Sequence, residues 1–172
     1  MSTEQYVFGY GSLAGLSGSP AQLLGHRRVW GVAMDNSATI AGYKYYRRPD
    51  GSRPDVFVAF LDIVAEPGAT VAGLLIAVED EIALAALDAR ERNYDRFDVT
   101  AAVPGARGTV WAYRGSPGGR RRLEIGRRRG SAVVDLHYHV AVSEAFDRLG
   151  FAQDVDPGEL ALMDLERVEL RP

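Results

Sequence analysis

Two apolar, β-branched runs constrain the fold most. Val56 to Val64 and Val71 to Val78 flank Glu66-Pro67-Gly68, a turn sequence, so the pair reads as a β-hairpin. Further strands are expected at Tyr6-Val7-Phe8, at Arg28 to Ala33, at Thr109 to Tyr113, and along the alternating Phe97, Val99, Ala101 and Val103. Residues 80–92, rich in alanine and leucine, give the strongest helix signal. Val140 to Leu149, ended by Gly150, gives another. Ser19-Pro20 resembles a helix cap leading into one turn up to Leu24. Residues 43–55 and 115–131 read as loops, and the tail carrying Leu160, Leu162, Leu165 and Val168 reads as mixed. This order has no βαβα rhythm. It predicts an α+β fold, a small mixed β-barrel or curved sheet with flanking helices, in one domain spanning 1–172.

Composition narrows the chemistry. The chain has 172 residues, of which 47% are hydrophobic and 25% charged, with a net charge of −3. That composition excludes wholesale disorder and disfavours a dedicated nucleic-acid binder. With no cysteine, disulfides, thiolate metal sites and cysteine catalysis are excluded. His26, His137 and His139 leave little scope for a histidine metal cage, so no metal and no cofactor are expected. No stretch approaches the ~20 apolar residues of a membrane span. The first residues lack a basic and then apolar leader, so a cytoplasmic location is expected. Lys44 is the one lysine among 20 basic residues, a bias that reads as genome composition.

Several residues are candidates for chemistry. Phe8-Gly9-Tyr10-Gly11-Ser12-Leu13 places two glycines around an aromatic directly after a strand. Such a turn is either simply tight, or a concave array of N–H groups suited to an anion or oxyanion. A dinucleotide loop fits poorly, because Ala14 stands at the third glycine position. Leu84, Leu87 and Glu91 share one helix face at spacings of three and four. If the leucines are buried, Glu91 is drawn inward and desolvated, and becomes a general acid/base near neutral pH. The alternative is that Glu91 leans outward to Arg92 or Arg96. Asp135-Leu136-His137-Tyr138-His139 sets two histidines on one face of a strand, or apart if a helix begins there. Six arginines between Arg120 and Arg129 form either an anion-binding loop or a solvated one. Tyr43, Tyr45 and Tyr46 beside Arg47 and Arg48 either stack on bases or pack in the core.

The glycine turn resembles the N-terminal F-x-Y-G-S-L/N signature of the γ-glutamylcyclotransferase-like superfamily. Leu87-Asp88-Ala89-Arg90-Glu91-Arg92-Asn93-Tyr94, about 80 residues on, is similar to its second signature, and Gly73-Leu74-Leu75-Ile76 to a strand between them. The resemblance spans about residues 1–150. It implies an enzyme that releases 5-oxoproline from a γ-glutamyl amide by attack of the substrate's own α-amino group. It assigns Glu91 as the acid/base, Tyr10, Gly11, Ser12 and Leu13 as the γ-glutamyl pocket, and, more loosely, Tyr138 as a further binding residue. The implied partner is a small γ-glutamyl compound: glutathione, a γ-glutamyl amino acid, a γ-glutamyl amine or a γ-glutamylated intermediate. A noncatalytic barrel that binds a γ-glutamyl-like or anionic metabolite is the alternative expectation.

Overall fold

Strand β4 (Phe57–Val78) is the element against which the rest of the chain is arranged. The structure, a computed structural model, describes residues 4–151 and 155–172. β4 pairs antiparallel with β2 (Ser19–Asp35) along nearly its whole length, from Asp35 opposite Phe57 to Ser19 opposite Leu75. Its far end also pairs antiparallel with β1 (Gln5–Gly9), and its start pairs parallel with β7 (Ala132–Asp135). β5 (Tyr94–Asp98) and β6 (Thr109–Gly115) extend the β1 side, with β6 parallel to β1. β8 (Ala161–Met163) extends the β7 side. The result is a mixed seven-stranded sheet in the order β5-β6-β1-β4-β7-β8, with β2 on β4. β3 (Lys44–Arg47) and β9 (Glu166–Glu169) form a separate antiparallel pair. Helices α1 (Glu81–Arg90), α2 (Pro117–Arg129) and α3 (Leu136–Leu149) complete the α+β architecture expected from the sequence.

Glu66-Pro67-Gly68 does not reverse the chain. Leu24 pairs with Thr70 and His26 with Ala65, so residues 66–69 bulge opposite Gly25. Gly25 and Gly68 both have positive φ, at 71° and 86°, which lets the two strands deform together at this point. The hairpin partner of Val56–Val64 is therefore β2, and Val71–Val78 continues the same strand.

Ser19–Leu24 is strand rather than helix. Among the described residues β2 pairs only with β4, so it is an edge where Pro20 costs no ladder bond on its open side. Leu23 from this segment is fully buried. The arginine-rich stretch is a helix rather than a loop. Ser116 caps it by accepting from the Gly119 N–H, Pro117 opens it, and left-handed Gly130 closes it. The strand expected through Val103 stops at Asp98, whose carboxylate accepts from the N–H and hydroxyl of Thr100 and turns the chain. Residues 44–47, expected in a loop, form β3. The tail joins the fold through β8 and β9, and Leu160 and Leu165 are buried.

One buried charge ties these layers together. Asp62 on β4 is fully buried. Its Oδ1 accepts from the Gly115 N–H at 2.7 Å and the Ile63 N–H at 2.8 Å, while Arg120 Nε approaches Oδ2 at 3.1 Å. Gly31 and Gly115 leave the slot open: a Cβ at either would lie 2.5 Å from an Asp62 side-chain atom. Asp62 thus joins β4 to the end of β6 and the start of α2. Asp62→Ala should destabilise the protein by about 2–4 kcal/mol, since two buried N–H donors lose an acceptor. Urea unfolding of the two proteins measures it, and a change below about 0.5 kcal/mol would refute the assignment.

Candidate active site

The glycine turn, the end of α1 and the first turn of α3 converge on one cleft. β1 delivers Tyr10 and Gly11 into a 3-10 turn, Ser12–Gly15, closed by hydrogen bonds from Ala14 N–H to the Gly11 carbonyl and Leu16 N–H to the Leu13 carbonyl. The Tyr10 ring is buried and its hydroxyl donates to the Tyr113 carbonyl. Leu13 packs with Val7, Leu84 and Tyr113. Both side chains anchor the turn, whose residues Tyr10 to Leu13 line the cleft.

Two neighbours hold this turn: Arg28, to which the sequence reading gave no role, and Gly73, from the strand that resembles the family's. Arg28, only 5% exposed, donates from Nε to the Tyr10 carbonyl at 2.9 Å and from Nη2 to the Ala72 carbonyl at 2.7 Å. Its guanidinium also lies 4.4 Å from the Phe146 ring centre. Gly73 permits the close approach of β4: a Cβ there would meet the Gly9 carbonyl oxygen at 2.5 Å and the Phe8 ring at 2.6 Å.

Asp80 caps α1 by accepting from the Ala83 N–H at 2.8 Å. Leu84 is buried and Leu87 half-buried, and Glu91 follows them inward as the helix-ending residue. Its N–H donates to the Leu87 carbonyl and its own carbonyl accepts from Tyr94 N–H. The carboxylate side chain is 15% exposed. Arg90 Nε lies 3.9 Å away, beyond hydrogen-bond reach. The outward alternative is not realised. Arg96 instead pairs with Asp88 at 3.4 Å and covers the Trp111 ring, and Arg92 lies over the Tyr43 ring. Burial raises the Glu91 pKa, opposed in part by Arg90, Lys44 and Arg167.

Asp135 caps α3 by accepting from the N–H groups of His137 and Tyr138. Because a helix begins there, the two histidines diverge. His137 pairs with Asp164 and His139 with the Val155 carbonyl. Among the described residues, no group of three or more His, Asp or Glu side chains could hold a metal. Tyr138 points into the cleft, packed edge-on against Trp30 and Phe60. Its hydroxyl lies 3.4 Å from where a Cβ on Gly11 would be. Burial pushes its pKa up, opposed by the backbone amides of Leu61 and Ser12.

The cleft has two connected parts. A small inner recess of about 30 Å³ is lined by Tyr10, Gly11, Ser12, Leu13, Glu91 and Tyr138, together with Leu61 and Tyr94. An outer chamber of about 400 Å³ shares Ser12, Glu91, Tyr94 and Tyr138 with it and is walled by Lys44, Tyr46, Phe60, Arg167 and Glu169. The outer volume suits a small metabolite. All six residues singled out from the sequence thus meet at one recess. The tyrosine-rich stretch is not an exposed stacking surface. Tyr46 is core, Tyr45 lies under Arg53, and the Tyr43 hydroxyl accepts from Asn93. Part of the arginine block is structural: Arg120 meets Asp62, Arg122 bonds the Ala33 carbonyl and Asn93, and Arg129 lies near Phe57, while Arg121, Arg127 and Arg128 are exposed.

The gamma-glutamyl cyclotransferase, AIG2-like family profile matches residues 7–131, from β1 to the end of α2. The chain belongs to this family. No curated protein matches it in sequence. Among solved structures it is similar to a gamma-glutamyl cyclotransferase, with 16% identity and a TM-score of 0.53 over 86% of this chain and 80% of that one. It is similar to an uncharacterized human protein, loc79017, with 16% identity and a TM-score of 0.54 over 92% and 87%. It is also similar to a yeast gamma-glutamyl cyclotransferase specific to glutathione, with 12% identity and a TM-score of 0.54 over 92% and 93%. At these identities the likeness is one of fold.

Gly73→Ala should push the Gly9 carbonyl out of place and cost about 1–3 kcal/mol. Thermal unfolding checks this, and an unchanged midpoint would show that β1 and β4 have room to spare.

Proposed function

We propose that this protein is a cytoplasmic enzyme that releases 5-oxoproline from a γ-glutamyl amide, with Glu91 as the general acid/base. The observation that carries the reading is a carboxylate only 15% exposed, opening on the same recess as the Tyr10–Leu13 turn. The family supports a γ-glutamyl substrate.

The reaction is chemically modest. A free α-amino group has a pKa of about 7.7–8.0, so at neutral pH it is mostly protonated and cannot attack. Glu91 takes that proton. The amine then adds to the γ-carbonyl of the same molecule, for which well-oriented intramolecular attack supplies an effective molarity on the order of 10⁵ M or more. Negative charge grows on the carbonyl oxygen, and the turn's backbone amides, held by Arg28 behind Tyr10, are suited to receive it. Glu91 returns the proton to the leaving nitrogen as the old C–N bond breaks. One C–N bond forms and one breaks; the ring nitrogen, which keeps one surplus proton after attack, gives it up through the same carboxylate, so two protons in all leave the α-nitrogen and the expelled amine departs as an ammonium. A carboxyl whose pKa is raised by burial serves both directions better than one in water. The Tyr138 hydroxyl is the candidate for ordering the carbonyl beside Gly11.

Glu91→Gln should lower kcat for 5-oxoproline release by about 10²–10⁴-fold while leaving the unfolding midpoint near that of the native protein. The native rate should fall on acidification through the Glu91 pKa, because the base works only when ionised. With that pKa raised, the fall is centred above the ordinary glutamate value. Full turnover by the glutamine variant would remove Glu91 from the mechanism. Binding of γ-glutamyl compounds without any product across a broad panel would identify a noncatalytic binder instead.

A further inference from the structure

The outer chamber holds a cation that the proposed mechanism does not use. In the β3–β9 pair, Lys44 lies opposite Glu169 and Tyr46 opposite Arg167. Side chains opposite one another share a face, so these four form one wall of the chamber. Tyr45, Arg47, Glu166 and Val168 take the other face, where Arg47 and Glu166 pair at 2.9 Å. β9 lies outside residues 7–131, so this wall includes chain that the family profile does not cover.

Lys44 differs from the other cations around the chamber. Arg167 contacts Glu169, Arg92 covers the Tyr43 ring, and Arg90 approaches Glu91. Lys44 Nζ is instead surrounded by rings: Phe60 at 4.5 Å, and Tyr43 and Tyr46 each at 5.7 Å. Among the described residues no carboxylate lies within ion-pair distance of it. A sheltered ammonium has three donors, and rings satisfy none of them as an anion does. Around the chamber, four cationic side chains, Lys44, Arg90, Arg92 and Arg167, face two carboxylates, Glu91 and Glu169. The field in the chamber therefore favours an anionic ligand.

The smaller recess is lined by the Tyr10–Leu13 turn and Glu91, whereas the β3–β9 pair lines only the larger chamber. If the cyclotransferase reading holds, the γ-carbonyl oxygen goes to the smaller recess and the α-amine goes to Glu91. The leaving amine then extends toward the β3–β9 wall. We infer, resting on that reading, that Lys44 is a specificity residue that receives a carboxylate on the leaving group. The substrates favoured are γ-glutamyl amino acids or peptides rather than γ-glutamyl amines without a carboxylate.

The test is equilibrium binding by calorimetry to Glu91→Gln, with and without Lys44→Met, using three probes. These are γ-glutamyl-alanine, its C-terminal amide, and the analogue amidated at the glutamyl α-carboxylate. With Lys44 present, amidating the alanine end should weaken binding at least about tenfold. With Lys44→Met that difference should shrink toward none, and with Lys44→Arg it should persist. The preference should also fade with rising pH as the ammonium loses its proton. Burial, helped by Arg167 and Arg90 and opposed by Glu91 and Glu169, lowers the Lys44 pKa from 10.5 to about 8. Neutralising Glu91 removes a charge that favours the ammonium, so the fading is expected at or below about that pH.

Equal affinity for the acid and the alanine-end amide would overturn the inference. So would a preference unaffected by Lys44→Met, or one confined to the glutamyl α-carboxylate. Native protein that shows the preference yet forms no 5-oxoproline would overturn the cyclotransferase reading alone, leaving Lys44 as an anion-recognition residue. Weakened binding of γ-glutamyl-alanine with Lys44→Met, with the alanine-end amide bound as before and the unfolding midpoint unchanged, would support the inference; equal loss for both probes would overturn it.

Discussion

The register of β4 at Leu61 and Asp62 is the constraint on which the cleft depends. Asp62 is buried as a charge, and an ion so placed is tolerated only when its oxygens are fully engaged. Gly115, Ile63 and Arg120 engage them, which fixes β4 against β6 and α2. Leu61, one residue earlier, is then fixed as well. Its carbonyl accepts from the Tyr94 hydroxyl at 2.6 Å, and its side chain lines the inner recess. Slipping this strand by one residue would turn Asp62 toward the cleft and Leu61 away from it.

From that anchor the geometry follows along the chain. β4 runs past its bulge to Gly73, where the missing side chain admits β1 and the Gly9 carbonyl. Arg28, on the neighbouring β2, reaches the carbonyl of Tyr10 and holds the turn from behind. α1 leaves the end of β4 and returns Glu91 to the same recess. The proposed acid/base and the glycine turn thus reach one recess from segments about 80 residues apart in sequence.

Much of the cleft was legible in the sequence because its signals are local. The glycines around Tyr10 and the Leu84–Leu87–Glu91 spacing each need only one element to be recognised. What was not legible depends on pairing at a distance. Glu66-Pro67-Gly68 is a sound turn sequence, and only Gly25 on the opposite strand converts it into a bulge. Ser19-Pro20 has the chemistry of a helix start, but burial of Leu23 against β4 prevails. The helix at Pro117–Arg129 had recognisable caps in Ser116, Pro117 and Gly130, hidden by its glycines and arginine density. Asp62 and Arg28 carry no periodic signal at all. Lys44 did stand out as the one lysine, yet its place opposite Glu169 required knowing that the tail returns as β9.

The most direct measurement of the central claim is a crystal structure of Glu91→Gln soaked with an uncleaved γ-glutamyl dipeptide. The γ-carbonyl oxygen should lie in the inner recess, within hydrogen-bond distance of backbone amides of the Tyr10–Leu13 turn. The α-amine should lie beside the carboxamide that this variant carries at position 91. A ligand seated with its amine facing away from that position, or bound outside this cleft, would contradict that claim.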